Sequence, residues 1–258
     1  MKKLILLLTL FFTFNLNAQY TILSAVQLND GAEDQYLKLE KFFGPVHDLA
    51  IEKGIQDLQA VFKVTSESDD ENAPHYVIIT NFSSKEQLDA YNESWQKGSW
   101  TELAKEAHRG KLSMRYVTRM MNGVGSESKD RRNYHLQGIA ATIWSGGDLK
   151  PGETMIIGPT QAQNDDFEKY ETEFWMPYVE KAIISGKHRY WGLSKVYEKS
   201  ETAYDGISHF FFNVMVEGGS MIDGAPTDSF KYQKLREGLQ AASQHADPIV
   251  LELVSLHN

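Results

Sequence analysis

Residues 34–64 read DQYLKLEKFFGPVHDLAIEKGIQDLQAVFKV, and residues 166–196 read DFEKYETEFWMPYVEKAIISGKHRYWGLSKV. Laid over one another at a constant offset of 132, without a gap, they share eight identities in 31 positions. These are Asp34/Asp166, Phe42/Phe174, Pro45/Pro177, Ala50/Ala182, Ile51/Ile183, Gly54/Gly186, Lys63/Lys195 and Val64/Val196. Ordinary composition would give about two. Phe43/Trp175 and Asp48/Glu180 are near-matches, and the same offset pairs Asn81 with Asn213, each just after an apolar run. The chain carries an internal repeat.

Working outward from the first copy, Ile22 to Leu28 is apolar enough for a strand. From Asp34, apolar residues fall at Tyr36, Leu39, Phe43, Val46 and Ala50, which is helical spacing, and Gly54 closes the helix. Leu58–Val64 alternates, a polar loop follows, and Tyr76–Phe82 completes a hairpin. Lys85–Arg109 reads as helix with a break near Gly98, and Ser113–Met121 as a fourth strand. The order is β-α-β-β-α-β, the split βαβ pattern. The second copy repeats it with strands at Thr154–Pro159, Tyr190–Tyr197, His209–Val216 and Ile249–Leu256, and helices at Phe167–Gly186 and Phe230–His245. The expected organisation is a leader over 1–18, a first repeat over 19–121, a linker over 122–149 and a second repeat over 150–258. Within the linker, His135–Trp144 is a strand-like segment with no counterpart in the other copy.

The ends and the composition narrow the function classes. Met1-Lys2-Lys3 followed by the apolar run Leu4–Phe14 and small Ala18 has the form of a signal peptide, with Gln19 as the mature N-terminus. The apolar run is shorter than the roughly 20 residues of a membrane span. The expected location is therefore exported, periplasmic or extracellular, with no membrane span in the mature chain. Without Lys2 and Lys3 the remainder has 24 basic and 35 acidic residues, a net charge of −11, which argues against nucleic acid as a partner. There is no cysteine, hence no disulfide and no thiolate metal site. Aromatic residues make up 12 %, enough for a large core, a binding cleft or both.

The string Phe174-Trp175-Met176-Pro177, with Gly186 and then Tyr190-Trp191-Gly192-Leu193-Ser194-Lys195-Val196 behind it, resembles the first helix and second strand of the dimeric α/β-barrel proteins. The resemblance covers most of the mature chain and implies an α+β fold: two ferredoxin-like β-α-β-β-α-β repeats packed as a pseudo-dimeric α/β barrel, each sheet covering the other. It implies a monomer with an internal pseudo-two-fold, or a homo-oligomer. The superfamily holds antibiotic-biosynthesis-type monooxygenases, haem-degrading enzymes and chlorite-dismutase-like proteins, so haem is the cofactor the resemblance brings in. A fold shared by so many chemistries does not transfer any one of them.

Candidate residues follow from residue type. Pro45 and Pro177 sit inside predicted helices, where proline removes a hydrogen bond, and point to a kink. Lys63 and Lys195 lie on strands and call for acidic partners, with Asp48 and Glu180 on the preceding helices as candidates. Eight histidines show no HExxH or comparable ligand spacing, and no metal site is expected. Asn81, Trp95 and His108 are the residue types that haem degraders of this fold use, without a matching motif. A ligand site is expected in the second repeat between its first helix and its sheet, from Trp175, Tyr178, Tyr190 and Trp191 with Glu180, His188, Lys195 and His209. Tyr and Trp supply apolar area plus a polar tip. The leading expectation is an exported protein binding a small apolar or aromatic ligand. The alternatives are a monooxygenase-like enzyme, cofactor-independent or haem-dependent, and an interaction protein without a ligand. No catalytic residue stands out, and the sequence does not decide whether the chain is an enzyme.

Overall fold

The computed structural model describes residues 20–219 and 225–258, so the expected leader over 1–18 lies outside the described residues. The chain runs β1 (Tyr20–Leu28), α1 (Glu33–Glu52), β2 (Leu58–Val64), β3 (Tyr76–Phe82), α2 (Lys85–Gln96), α3 (Ser99–Ala107), α4 (Met114–Asn122) and β4 (Ser128–Ala141). It continues with β5 (Thr154–Ala162) and a helical rod made of α5 (Phe167–Lys169), a π-turn (Tyr170–Trp175) and α6 (Met176–Ile184). Then come β6 (His188–Lys199), β7 (His209–Met215), α7 (Phe230–Ala242), the short β8 (Ser243–His245) and β9 (Ile249–His257).

Eight strands close into one antiparallel barrel in the order β4-β1-β3-β2-β9-β5-β7-β6, with β6 returning to β4. The first half supplies β4-β1-β3-β2 and the second β9-β5-β7-β6. Two seams join them, β2 to β9 and β6 to β4. Alternation explains the closure. Leu58, Ala60 and Phe62 point to one face of β2 while Val61 is buried on the other, so a sheet covered only by helices would leave an apolar face in water. Here the inner faces of both halves meet in a core that includes Leu23, Phe62, Ile79, Leu136, Ile157, Tyr190, Phe212 and Leu253. Helices α1, α3 and α4 cover the first half around Phe42, Phe43 and Trp100. The rod containing the π-turn covers the second half around Phe167, Trp191 and Phe211.

Two elements differ from the sequence expectation. Ser113–Met121 is the helix α4 and not a strand: the Ser113 hydroxyl accepts from the Tyr116 N–H as an N-cap, and Val117 alone of its residues is fully buried. The fourth strand of the first half is β4, which absorbs most of the strand-like segment His135–Trp144 and pairs with both β1 and β6. Within the stretch 122–149, the 14 residues Ser128–Ala141 are barrel wall. The break near Gly98 is present, with Gly98 at φ 73° between α2 and α3.

The repeat register also shifts twice by one residue. Ala50 and Ala182 are both buried at offset 132, but Phe167 is buried where that offset gives exposed Gln35; offset 131 gives buried Tyr36. The extra residue is taken up by the π-turn just before Pro177, whereas α1 runs through Pro45 without interruption. In the hairpin, Ala60 pairs with Ile79 and Gly192 with Phe212, an offset of 133 in the second strand. Because strand side chains alternate, that single residue turns Asn213 to the outer face while Asn81 faces inward. The pairing of Asn81 with Asn213 does not survive folding.

Candidate functional site

The barrel interior is not completely filled. Between the two sheets lies a cavity of about 90 Å³, where a single water needs roughly 10–15 Å³ on the same measure. Its walls are mainly apolar: Leu58, Phe62, Ile79, Met155, Phe212 and Leu253. Its polar groups are few. Thr21 donates from Oγ1 to Asn81 Oδ1 at 2.8 Å, and Ser194 and the Tyr190 hydroxyl also line it. The exposed Asp148 and half-buried Trp144, from the loop over residues 142–153, border the mouth. Arg189 holds that loop in place, donating from Nη2 to the Gly147 carbonyl at 2.7 Å and from Nη1 to Glu153 at 3.1 Å.

Tyr190 is the unusual member. It is 3 % exposed, and its hydroxyl has no hydrogen-bond partner among the described residues. Burial pushes its ionisation far above the ordinary tyrosine range, so it is a neutral phenol. The ring meets Trp144 at 4.9 Å between centroids, tilted by 41°, and its hydroxyl lies over Gly192, where a Cβ would stand 2.4 Å from the oxygen. A glycine at 192 is what lets the phenol lie there.

The eight residues expected to form a ligand site do not converge. Tyr190 alone of them lines the cavity. Trp191, its neighbour on β6, points the opposite way and is buried under the rod with half-buried Trp175. Tyr178 packs edge-on against Tyr232 at 5.9 Å, and Glu180 is exposed. His188 is buried at the start of β6. Lys195 and His209 both meet Glu168, at 2.7 and 3.2 Å. Period-two alternation along Tyr190–Lys195 was the signal that separates these residues into two faces. Thr21, Trp144, Asp148 and Ser194 were not legible, because nothing in their local sequence says which strands the barrel brings opposite them.

The two strand lysines make ion pairs, but not with the predicted partners. Lys63 reaches Glu33 at 2.8 Å, and Glu33 also accepts from the Tyr76 hydroxyl at 2.8 Å. Lys195, Glu168 and His209 repeat the arrangement in the second half. Asp48 instead meets His257 at 2.6 Å. Burial alone would raise the Glu168 carboxyl, but the hydrogen bonds from Lys195 and His209 outweigh it and hold the group below the usual carboxylate range. These are structural clamps of helix to sheet, already satisfied within the chain.

The three haem-type residues and this cavity do not fit haem. His108 is buried with Nε2 at 2.9 Å from the Phe42 carbonyl and stacks on the Phe42 ring. Trp95 stacks on Trp100 at 4.5 Å in the helical layer, and Asn81 is inside the barrel. The three do not share a site. No histidine lines the cavity, whose volume is far too small for a porphyrin. Among the described residues no three His, Asp or Glu side chains gather as a metal site, and no helix is long and apolar enough to cross a membrane.

Solved structures share this barrel. A candidate monooxygenase from Lactobacillus acidophilus aligns with a TM-score of 0.53 at 11 % identity, covering 93 % of this chain and 96 % of that one. An anthrone oxidase-like protein aligns at 0.54 and 10 % identity, covering 93 % of each chain. A candidate monooxygenase from Fusobacterium nucleatum aligns at 0.54 and 8 % identity, covering 93 % and 94 %. No protein-family model and no curated protein matches the sequence. At these identities the likeness shows the fold alone, that of the dimeric α/β-barrel proteins.

Proposed function

We propose that the protein is a monooxygenase-like barrel protein that takes a small, mainly apolar ring compound into the cavity between its sheets. The observation that carries this is the cavity itself: an apolar chamber inside a closed barrel, with a neutral, unsatisfied phenol in its wall. Oxygenation without a bound cofactor draws its electrons from the substrate. An activated CH₂ beside an electron-rich ring plus dioxygen gives a carbonyl and water. In that reading the barrel walls exclude water, Tyr190 and Asn81 orient the substrate, and Asp148 at the mouth is the carboxylate placed to take a proton from it. The named activities of the similar structures support oxygenation over other reactions of an apolar site.

The test is dioxygen uptake with anthrone as probe, above the rate without protein. One anthraquinone should form per dioxygen consumed. Ala60→Leu, which adds three carbons to the cavity wall, should lower the rate roughly ten- to a hundredfold by misplacing the ring. Binding of anthrone without oxygen uptake would sink the enzyme reading and leave a small-molecule-binding protein. That second reading is favoured by the lining itself, which has no histidine and a single carboxylate among the described residues.

The same proposal includes architecture and location. The identical four-strand order in each half supports two ferredoxin-like units arranged as a tandem pair. Residues 1–18 are taken as an export signal. Mass spectrometry of protein recovered from outside the cytoplasm should find Gln19, cyclised or not, as its first residue; an intact Met1 there would overturn cleavage.

A further inference from the structure

The chemistry of the cavity wall limits what its ligand can be. The Tyr190 phenol carries a proton and has no acceptor among the described residues, although it is almost wholly buried. A buried polar group without a partner costs stability, and folding sequences remove such groups unless something else fills them. Half-buried Asn81 lies in the same wall. Its Oδ1 already accepts from the Thr21 hydroxyl, which leaves the Nδ2 end as the part of the amide able to serve a ligand. With the Ser194 hydroxyl, these groups are the donors of an otherwise apolar wall. It offers no lysine, arginine or histidine, and its one charged group is the carboxylate of Asp148 at the mouth. An anionic ligand would lose its hydration, pass a like charge and find no cation inside.

We infer that the cavity selects a neutral ring compound bearing an oxygen acceptor, a ketone, aldehyde or quinone carbonyl, which accepts a hydrogen bond from the Tyr190 hydroxyl. This deepens the proposed function and rests on the cavity being the ligand site. It makes Tyr190 a specificity-determining residue: a carboxylate of the same shape is rejected, and a hydrocarbon of the same shape binds less well. It also explains Gly192, because any larger residue there would drive the hydroxyl from its place over the strand.

Three naphthalene probes that differ in one substituent test it on the full chain: 2-acetonaphthone, 2-ethylnaphthalene and 2-naphthoate. Their affinities are read from quenching of tryptophan fluorescence, with Trp144 at the cavity mouth. Acetonaphthone should bind tightest and naphthoate weakest. Tyr190→Phe should weaken acetonaphthone roughly three- to tenfold, the share of one hydrogen bond, and leave ethylnaphthalene unchanged. The ligand-free Tyr190→Phe protein should melt at the same temperature or higher, since it loses an unsatisfied hydroxyl. Equal binding of acetonaphthone by both proteins, preference for naphthoate, or a lower melting temperature of the variant would each overturn the inference. Binding of all three probes with one affinity would overturn it while keeping the cavity as the site. Failure of all three to bind would remove the site and the inference together.

Discussion

Gly158→Ala is expected to destabilise the barrel by about 3 kcal/mol, the upper end of overpacking costs, and to shift thermal unfolding accordingly. Gly158 sits in β5 directly opposite Phe211 of β7. A Cβ at 158 would fall 2.0–2.6 Å from three carbons of that ring. The ring cannot yield easily. Phe211 is itself buried with Phe167 and Trp191 beneath the helical rod, and it meets the His245 ring edge-on at 5.6 Å. An aromatic side chain laid across a cross-strand glycine is a device that pins register, because no other position would accept the ring. Phe211→Leu alone should also destabilise, by leaving a void over Gly158. The double variant Gly158→Ala/Phe211→Leu should recover part of the loss, since the new methyl fills the space the ring vacates. Chemical denaturation of the four proteins gives the coupling. Strict additivity of the two single effects would show that ring and glycine do not depend on one another.

Glu171→Gln is expected to remove a pH dependence of comparable size. Glu171 lies in the π-turn, 5 % exposed, and burial pushes its carboxyl up to about 7. The folded state therefore holds a proton that the unfolded chain releases near the ordinary glutamate value. Between these two values the native state binds more protons, so stability falls as pH rises. The contribution is fully present below about pH 4.5 and is lost by about pH 7, amounting to about 3 kcal/mol. Glu33, Asp70 and Glu168 are held below the carboxylate range and act in the opposite sense, so the difference between variant and parent is the quantity to follow. That difference should grow in favour of Glu171→Gln from pH 4.5 to pH 7.5 and then level off. A difference independent of pH would mean that the carboxyl reaches water. Glu40, its counterpart at offset 131, is also raised by burial, but Tyr36 and Arg131 oppose the shift there. The second half has no such relief for Glu171.

Periodicity carried most of the fold to the sequence reader. The first helix and the hairpin strands of each half, and the closing strand of the second, are long, strongly patterned segments. The strand expectation for Ser113–Met121 failed because Met114, Val117, Met120 and Met121 fall at helical spacing behind a serine N-cap. The repeat alignment was sound in the helix C-termini and β2/β6 but could not register the π-turn or the one-residue shift in β7, since an ungapped offset has no place for either. The site was less legible than the fold. Tyr190 was named for its chemistry, yet its cavity exists only where residues from Thr21 to Leu256 meet around a closed ring, and no local pattern records that closure.

The order of the ring also sets the timetable by which the chain can hide itself. The first half is complete as a four-stranded sheet once β4 ends at Ala141, and β4 and β2 are then its two edges. Their partners arrive late: β6 begins at His188, and β9, which covers β2, ends at His257. At ribosomal speeds of 5–20 residues per second the β2 edge stays open for roughly 6–23 s after β4 has been made. An edge of that kind is a template for pairing with any other chain, and its apolar inner face is open for the same interval. A newly made chain is thus half a barrel for nearly half of its synthesis, and a delay in folding until the last strand has emerged protects it better than early folding of its first half.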